Sequence, residues 1–155
     1  MKALMSTRPG PPETLELVDA PDPVAEAGEV VIAVKAAGVN FPDVLIIDAR
    51  AAERYRGEAE PIDPRAGHIP GALNFPYAQA LDAATGTFRK PEELKSEFDK
   101  FGAKDAETII SYCGSGITAC TNIFALRLAG YEAILYEGSW SDWSSDLDLQ
   151  ASTSK

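Results

Sequence analysis

The stretch Tyr112-Cys113-Gly114-Ser115-Gly116-Ile117-Thr118-Ala119-Cys120 decides the reading of this chain. It follows the apolar run Thr108–Tyr112 and opens a helical pattern that continues to Ala129 and stops at Gly130. A strand, a glycine-bearing loop and a helix start in that order place Cys113 at the end of a strand, the edge where open α/β sheets bind ligands. Gly114 and Gly116 let the backbone curl with its amides turned inward. The free N–H groups of a helix beginning near Thr118 face the same spot.

Energetics sharpen the reading. A free cysteine titrates at about 8.5, and lowering it to about 6.5 takes about 2.7 kcal/mol of preference for the thiolate. A helix N-terminus supplies roughly 0.3–1 kcal/mol, about 2 in good geometry. Loop amides on the sulfur, or a nearby arginine, must therefore supply the rest. Arg50 and Arg54, one helical turn apart just beyond the run Val44–Ile47, are placed to reach the same edge. The bland alternative is a small apolar residue at a strand end, followed by glycines for a tight turn. A Cys-x5-Arg phosphate cradle is a rival chemistry, but Ala119 stands where its arginine is needed, which argues against phosphoryl transfer. Cys120 falls in the first helical turn and reads as a packed thiol.

Outward from the loop, strands and helices alternate. Val44–Ile47 suits a buried parallel strand, Ala51–Arg56 a short helix, Ala72–Phe75 a short strand, Pro91–Phe101 a helix and Ala133–Tyr136 a further strand. That alternation predicts an α/β fold with a central, mainly parallel sheet flanked by helices. Before Val44 the prolines at 9, 11, 12, 21 and 23 punctuate two strand-like runs, Thr14–Val18 and Glu29–Lys35. The polar stretch from Ser144 to Lys155 reads as a loose tail. The division expected is an appendage over 1–43, a domain over 44–146 and a flexible tail over 147–155.

Composition bounds the rest. The 155 residues carry 14 Lys+Arg against 24 Asp+Glu, a formal net charge of -10. Such a balance argues against a nucleic-acid or anionic-membrane surface and means that an anionic substrate needs a local positive pocket. Two cysteines and one histidine are too few for a closed zinc site. Cys113 and Cys120 are too far apart for a C-x-x-C redox pair. No apolar run approaches a membrane span, the first residues are too short in apolar length for a signal peptide, and a reduced, cytoplasmic protein is expected.

Several stretches together resemble the rhodanese family of sulfurtransferases: "LIIDARAAERYRG" (Leu45–Gly57), "GHIPGALNFP" (Gly67–Pro76), "KPEEL" (Lys90–Leu94), "CGSGITAC" (Cys113–Cys120) and "YEGSWSDW" (Tyr136–Trp143). The resemblance, closest to the C-terminal catalytic domain of two-domain members, implies a rhodanese-like fold. It implies that Cys113 attacks a sulfur donor, keeps the outer sulfur as a persulfide and passes it to cyanide or a thiol. The loop from Cys113 to Thr118 is similar to that of the 3-mercaptopyruvate-using branch, with thiosulfate the other donor. Ser115 would bond the substrate or relay a proton. Gly114, Gly116, Ile117 and Thr118 would line the donor site. Arg54 matches the family arginine that binds the donor's anionic group, and Arg65 resembles a second. His68 and the tryptophans Trp140 and Trp143 read as structural. No cofactor and no metal are implied, and the partners are the small-molecule donor and acceptor, with a homodimer left open. The alternative is a non-turnover persulfide carrier serving a partner enzyme. Residues 1 to about 46 resemble instead the start of a quinone-oxidoreductase-type dehydrogenase with a GroES-like domain. No G-x-G-x-x-G follows, so the chain reads as a fusion without oxidoreductase activity.

Overall fold

Val44-Leu45-Ile46-Ile47 has no polar face to offer water, and it forms the centre of the sheet. The computed structural model describes residues 2–6, 15–28, 30–31 and 44–153. The chain divides into two units, residues 1–39 and 40–155. In the first, β1 (Lys2–Ser6) and β2 (Leu15–Asp19) pair antiparallel, with Lys2 opposite Asp19 and their side chains 2.7 Å apart. This antiparallel pair lies within the expected appendage, of which residues 20–28 and 30–31 are also described, in no strand or helix. Of the run Glu29–Lys35 only Val30 and Val31 are described, both exposed and in no strand, and much of the stretch read as dehydrogenase-like lies outside the described residues.

In the second unit β3 (Val44–Asp48) lies between β4 (Leu73–Asn74) and β5 (Thr108–Tyr112), and β6 (Ile134–Leu135) pairs with β5. The order is β4-β3-β5-β6 and every pair is parallel. Register sets Asp48 opposite Tyr112, so the chain leaves both central strands at the same edge. There the Ala49 N–H donates to the Tyr112 carbonyl at 2.8 Å. Helices α1 (Ala52–Tyr55), α2 (Pro91–Lys100), α3 (Ala119–Leu128) and α4 (Ser139–Ser145) complete the fold. None of the described helices is long and apolar enough to cross a membrane.

Alternation along the strands divides the core. Leu45, Ile47 and Ile109 pack with Phe75, with Leu94 and Phe98 of α2 and with Ala125 and Leu126 of α3. Side chains of this size contribute about 1.5–3 kcal/mol each on burial. On the opposite face Tyr112 packs with Ile69, Ala72 and Trp140 of α4. Pro91 stands at the start of α2, where its missing N–H costs nothing, and Glu92 and Glu93 lie at the positive end of the helix dipole.

The C-terminal segment, expected to be loose, makes contacts with the domain. Ser152 and His68 exchange backbone hydrogen bonds of 2.8 and 2.9 Å, and the Trp143 indole N–H donates to the Gln150 carbonyl at 2.7 Å. Gly57 and Gly67, both at positive φ, leave the room in which Ser152 and Thr153 lie. His68 is buried, its ring stacked on Tyr55 at 3.8 Å and its Nδ1 2.7 Å from the Tyr55 carbonyl.

Candidate active site

The Cys113 loop is gripped from below by α4. The Cys113 N–H donates to Ser139 Oγ at 3.1 Å, and that hydroxyl donates on to the Tyr136 carbonyl at 2.9 Å. The N–H groups of Trp140 and Ser141 donate to the carbonyls of Cys113 and Gly114 at 3.0 and 2.9 Å. Ser139 takes φ 54, a left-handed conformation rare for a residue with a side chain, held by these contacts. Gly116 stands at φ +84, and a methyl group there would lie 2.9 Å from the Glu137 carbonyl oxygen. The loop therefore closes only with glycine at 116.

With outward-facing carbonyls anchored on α4, the N–H groups of the loop are left for the sulfur. Cys113 is buried, at 2% exposure, but its thiol is not surrounded by hydrocarbon alone. Burial pushes the thiol up. The Thr118 hydroxyl and the N–H groups of Ala119, Ser115 and Thr118 outweigh burial, and the thiol titrates below its ordinary range. No side chain caps α3, and the N–H of its first residue, Ala119, is directed at the sulfur.

Above the sulfur opens a pocket of about 400 Å³. Cys113, Gly114, Ser115, Ile117, Thr118 and Arg54 line it together, and Gly116 shapes the turn between them. The Arg54 Nη1 atom would lie 3.4 Å from a methyl group on Gly114, which places the guanidinium directly over the loop. Arg54 Nη2 donates to Glu60 Oε1 at 2.6 Å and to Asp63 Oδ2 at 2.9 Å. Asp63 Oδ1 accepts from the Ser141 hydroxyl at 2.6 Å. Burial would raise the Glu60 carboxyl, but Arg54 and the N–H groups of Asp63 and Ile62 hold it below the usual carboxylate range.

Two further arginines are held by the fold, Arg50 at the pocket wall and Arg65 away from it. Arg50 is almost fully buried: it binds Asp48 at 2.7 Å, donates to the Gly67 carbonyl at 2.6 Å and lies over the Trp140 ring at 4.7 Å. It cross-links the fold. Arg65, expected at the donor site, is turned toward the C-terminal segment. Its guanidinium donates to the backbone carbonyls of Trp143, Ser144, Asp146 and Leu149, so it ties down the C-terminal segment and takes no part in lining the pocket. Cys120 is exposed rather than packed, with Sγ 3.4 Å from the Gly116 carbonyl. Asp63, Ser141 and Tyr77, which also line the pocket, escape the sequence reading. Asp63 and Ser141 lie 78 positions apart, and no local spacing signals their contact.

Comparison with known proteins agrees with this geometry. The rhodanese-like domain matches residues 34–146 and so begins within the stretch read above as an appendage. A Pseudomonas aeruginosa protein named "Probable 3-mercaptopyruvate sulfurtransferase" is 42% identical over 88% of this chain and 44% of its own length. The 3-mercaptopyruvate sulfurtransferase of Escherichia coli K12 is 39% identical over 67% of this chain and 37% of its own. The crystal structure of Tum1 from Saccharomyces cerevisiae superposes with a TM-score of 0.62 at 31% identity, covering 73% of this chain and 41% of that one. The chain thus spans less than half the length of each of these relatives. A parallel sheet ending in an amide-lined cysteine loop and a family match over most of the sequence lead to one conclusion: the chain belongs to the rhodanese-like domain family.

Proposed function

We propose that this chain is a sulfurtransferase that carries a sulfane sulfur as a persulfide on Cys113. The observation that carries the reading is the convergence of the Thr118 hydroxyl and three loop N–H groups on one sulfur at the floor of an open pocket. A thiolate in that position is a nucleophile at neutral pH. With thiosulfate, the Cys113 sulfur attacks the outer sulfur, a new S–S bond forms, and sulfite leaves with the electron pair of the broken S–S bond. With 3-mercaptopyruvate, attack on the thiol sulfur breaks the C–S bond, and the departing enolate takes a proton from water to become pyruvate. In the second half-reaction cyanide or a thiolate attacks the outer sulfur and restores the Cys113 thiolate. The same donors that hold the resting thiolate hold the persulfide anion, which needs many N–H groups and little bulk.

Arg54, over Gly114, meets the donor's anionic group. Ser115, Gly114, Gly116, Ile117 and Thr118 shape the cavity around the sulfur. The relatives' names and the loop support 3-mercaptopyruvate as donor, with thiosulfate second. Thiocyanate formation from cyanide with each donor tests the reading. Turnover should vanish in Cys113→Ser and persist in Cys120→Ser. Turnover that survives loss of Cys113 sinks it.

A further inference from the structure

We infer that Asp63 sets the charge of the sulfur donor this site accepts, selecting singly charged donors over dianions; the inference rests on the sulfurtransferase reading. Arg50 and Arg54 both line the pocket, but the Arg50 guanidinium is engaged by Asp48, Glu60 and the Gly67 carbonyl, which leaves Arg54 as the cation over the Cys113 loop. Arg54 brings two carboxylates with it. Glu60 and Asp63 share its Nη2 atom, and their side chains are only 4% and 5% exposed, so water screens them little. Of the two, Asp63 itself lines the pocket. It is also fixed there: one oxygen is held by Arg54 and the other by the Ser141 hydroxyl, whose own backbone N–H holds the Gly114 carbonyl. A donor anion therefore meets a guanidinium whose charge is already balanced, next to an immobile carboxylate. Across the same pocket Ile62 and Ile117, 74% and 77% exposed, offer no charge to a second anionic group.

Thiosulfate brings two negative charges and 3-mercaptopyruvate one, so the carboxylate penalises thiosulfate about twice as heavily. For a charge about 8 Å away at an effective dielectric constant of about 20–40, the extra unit corresponds to roughly a five- to thirtyfold difference in transition-state binding. Asp63 acts through the field it adds and through the arginine it holds, without touching the transferred sulfur.

The test is the ratio of kcat/KM for thiosulfate to that for 3-mercaptopyruvate. In Asp63→Asn, which keeps shape and removes charge, the ratio should rise on the order of tenfold. Ile62→Lys adds a cation at an exposed rim position, needs no change in the buried network and should move the ratio the same way. Asp63→Glu keeps the charge and should keep the ratio within about twofold of the original. An unchanged ratio in both Asp63→Asn and Ile62→Lys, with the two donors losing rate by the same factor, would overturn the inference while leaving the sulfurtransferase reading intact. A wild-type protein that takes sulfur from neither donor would overturn both.

Discussion

Thr118→Val removes one hydroxyl from the Cys113 cradle and keeps the shape of the side chain. The hydroxyl stands first among the groups that oppose burial of the thiolate, ahead of the N–H groups of Ala119, Ser115 and Thr118. A hydrogen bond to a charged partner contributes about 1.5–3 kcal/mol, so its loss should cut the thiolate population at neutral pH by roughly 10- to 100-fold. The thiolate that remains is more nucleophilic, because reactivity rises with basicity at a slope of about 0.4–0.5, and this masks part of the effect in a rate measured at one pH. The midpoint of the pH profile is free of that compensation. Alkylation of Cys113 by iodoacetamide, followed from pH 5 to 10 in a Cys120→Ser background, should show the midpoint displaced to higher pH by the valine. An unmoved midpoint, or one displaced to lower pH, would refute the claim that the Thr118 hydroxyl tunes the thiol, since the loop amides alone would then suffice.

Other consequences follow from the same contacts. Gly116→Ala forces a side chain into positive φ against the Glu137 backbone carbonyl and should cost about 1–3 kcal/mol in urea unfolding, with loss of alkylation selectivity for Cys113. Arg65→Met should lower stability by roughly 2–4 kcal/mol through four carbonyls left without a charged donor, yet leave KM for either sulfur donor unchanged. A raised KM at full stability would restore Arg65 to the donor site. Because the folded state favours the Cys113 thiolate, that thiol contributes stability present in full above its unfolded value of about 8.5 and lost as pH falls through the lower folded value. The stability difference between the wild type and Cys113→Ser should therefore grow from pH 6 to pH 9, and a flat difference would contradict it.

The parts legible in the sequence are those whose cause is local. Val44–Ile47 and Thr108–Tyr112 read as strands because buried parallel strands leave no polar alternation, and the Cys113 loop reads as a site because strand end, glycines and helix start are consecutive. The shorter strands shrink to two residues each, Leu73–Asn74 and Ile134–Leu135, because pairing stops where the register ends at the sheet edge. Charge without direction misleads: Arg54 and Arg65 look alike on paper, and only the fold turns one over Gly114 and the other toward the C-terminal carbonyls. The stretch after Ser144 looks loose because its side chains are polar, but its order comes from backbone bonds to His68 and from Arg65. Asp63 and Ser141 meet only because α4 packs under the loop, a contact no periodicity encodes.

The central claim is that Cys113 holds a second sulfur in anionic form. Intact-mass spectrometry of the protein after brief exposure to 3-mercaptopyruvate or thiosulfate tests it directly. The account predicts a gain of one sulfur atom, reversed by cyanide, absent in Cys113→Ser and retained in Cys120→Ser. No gain with either donor, or a gain that survives removal of Cys113, would contradict it.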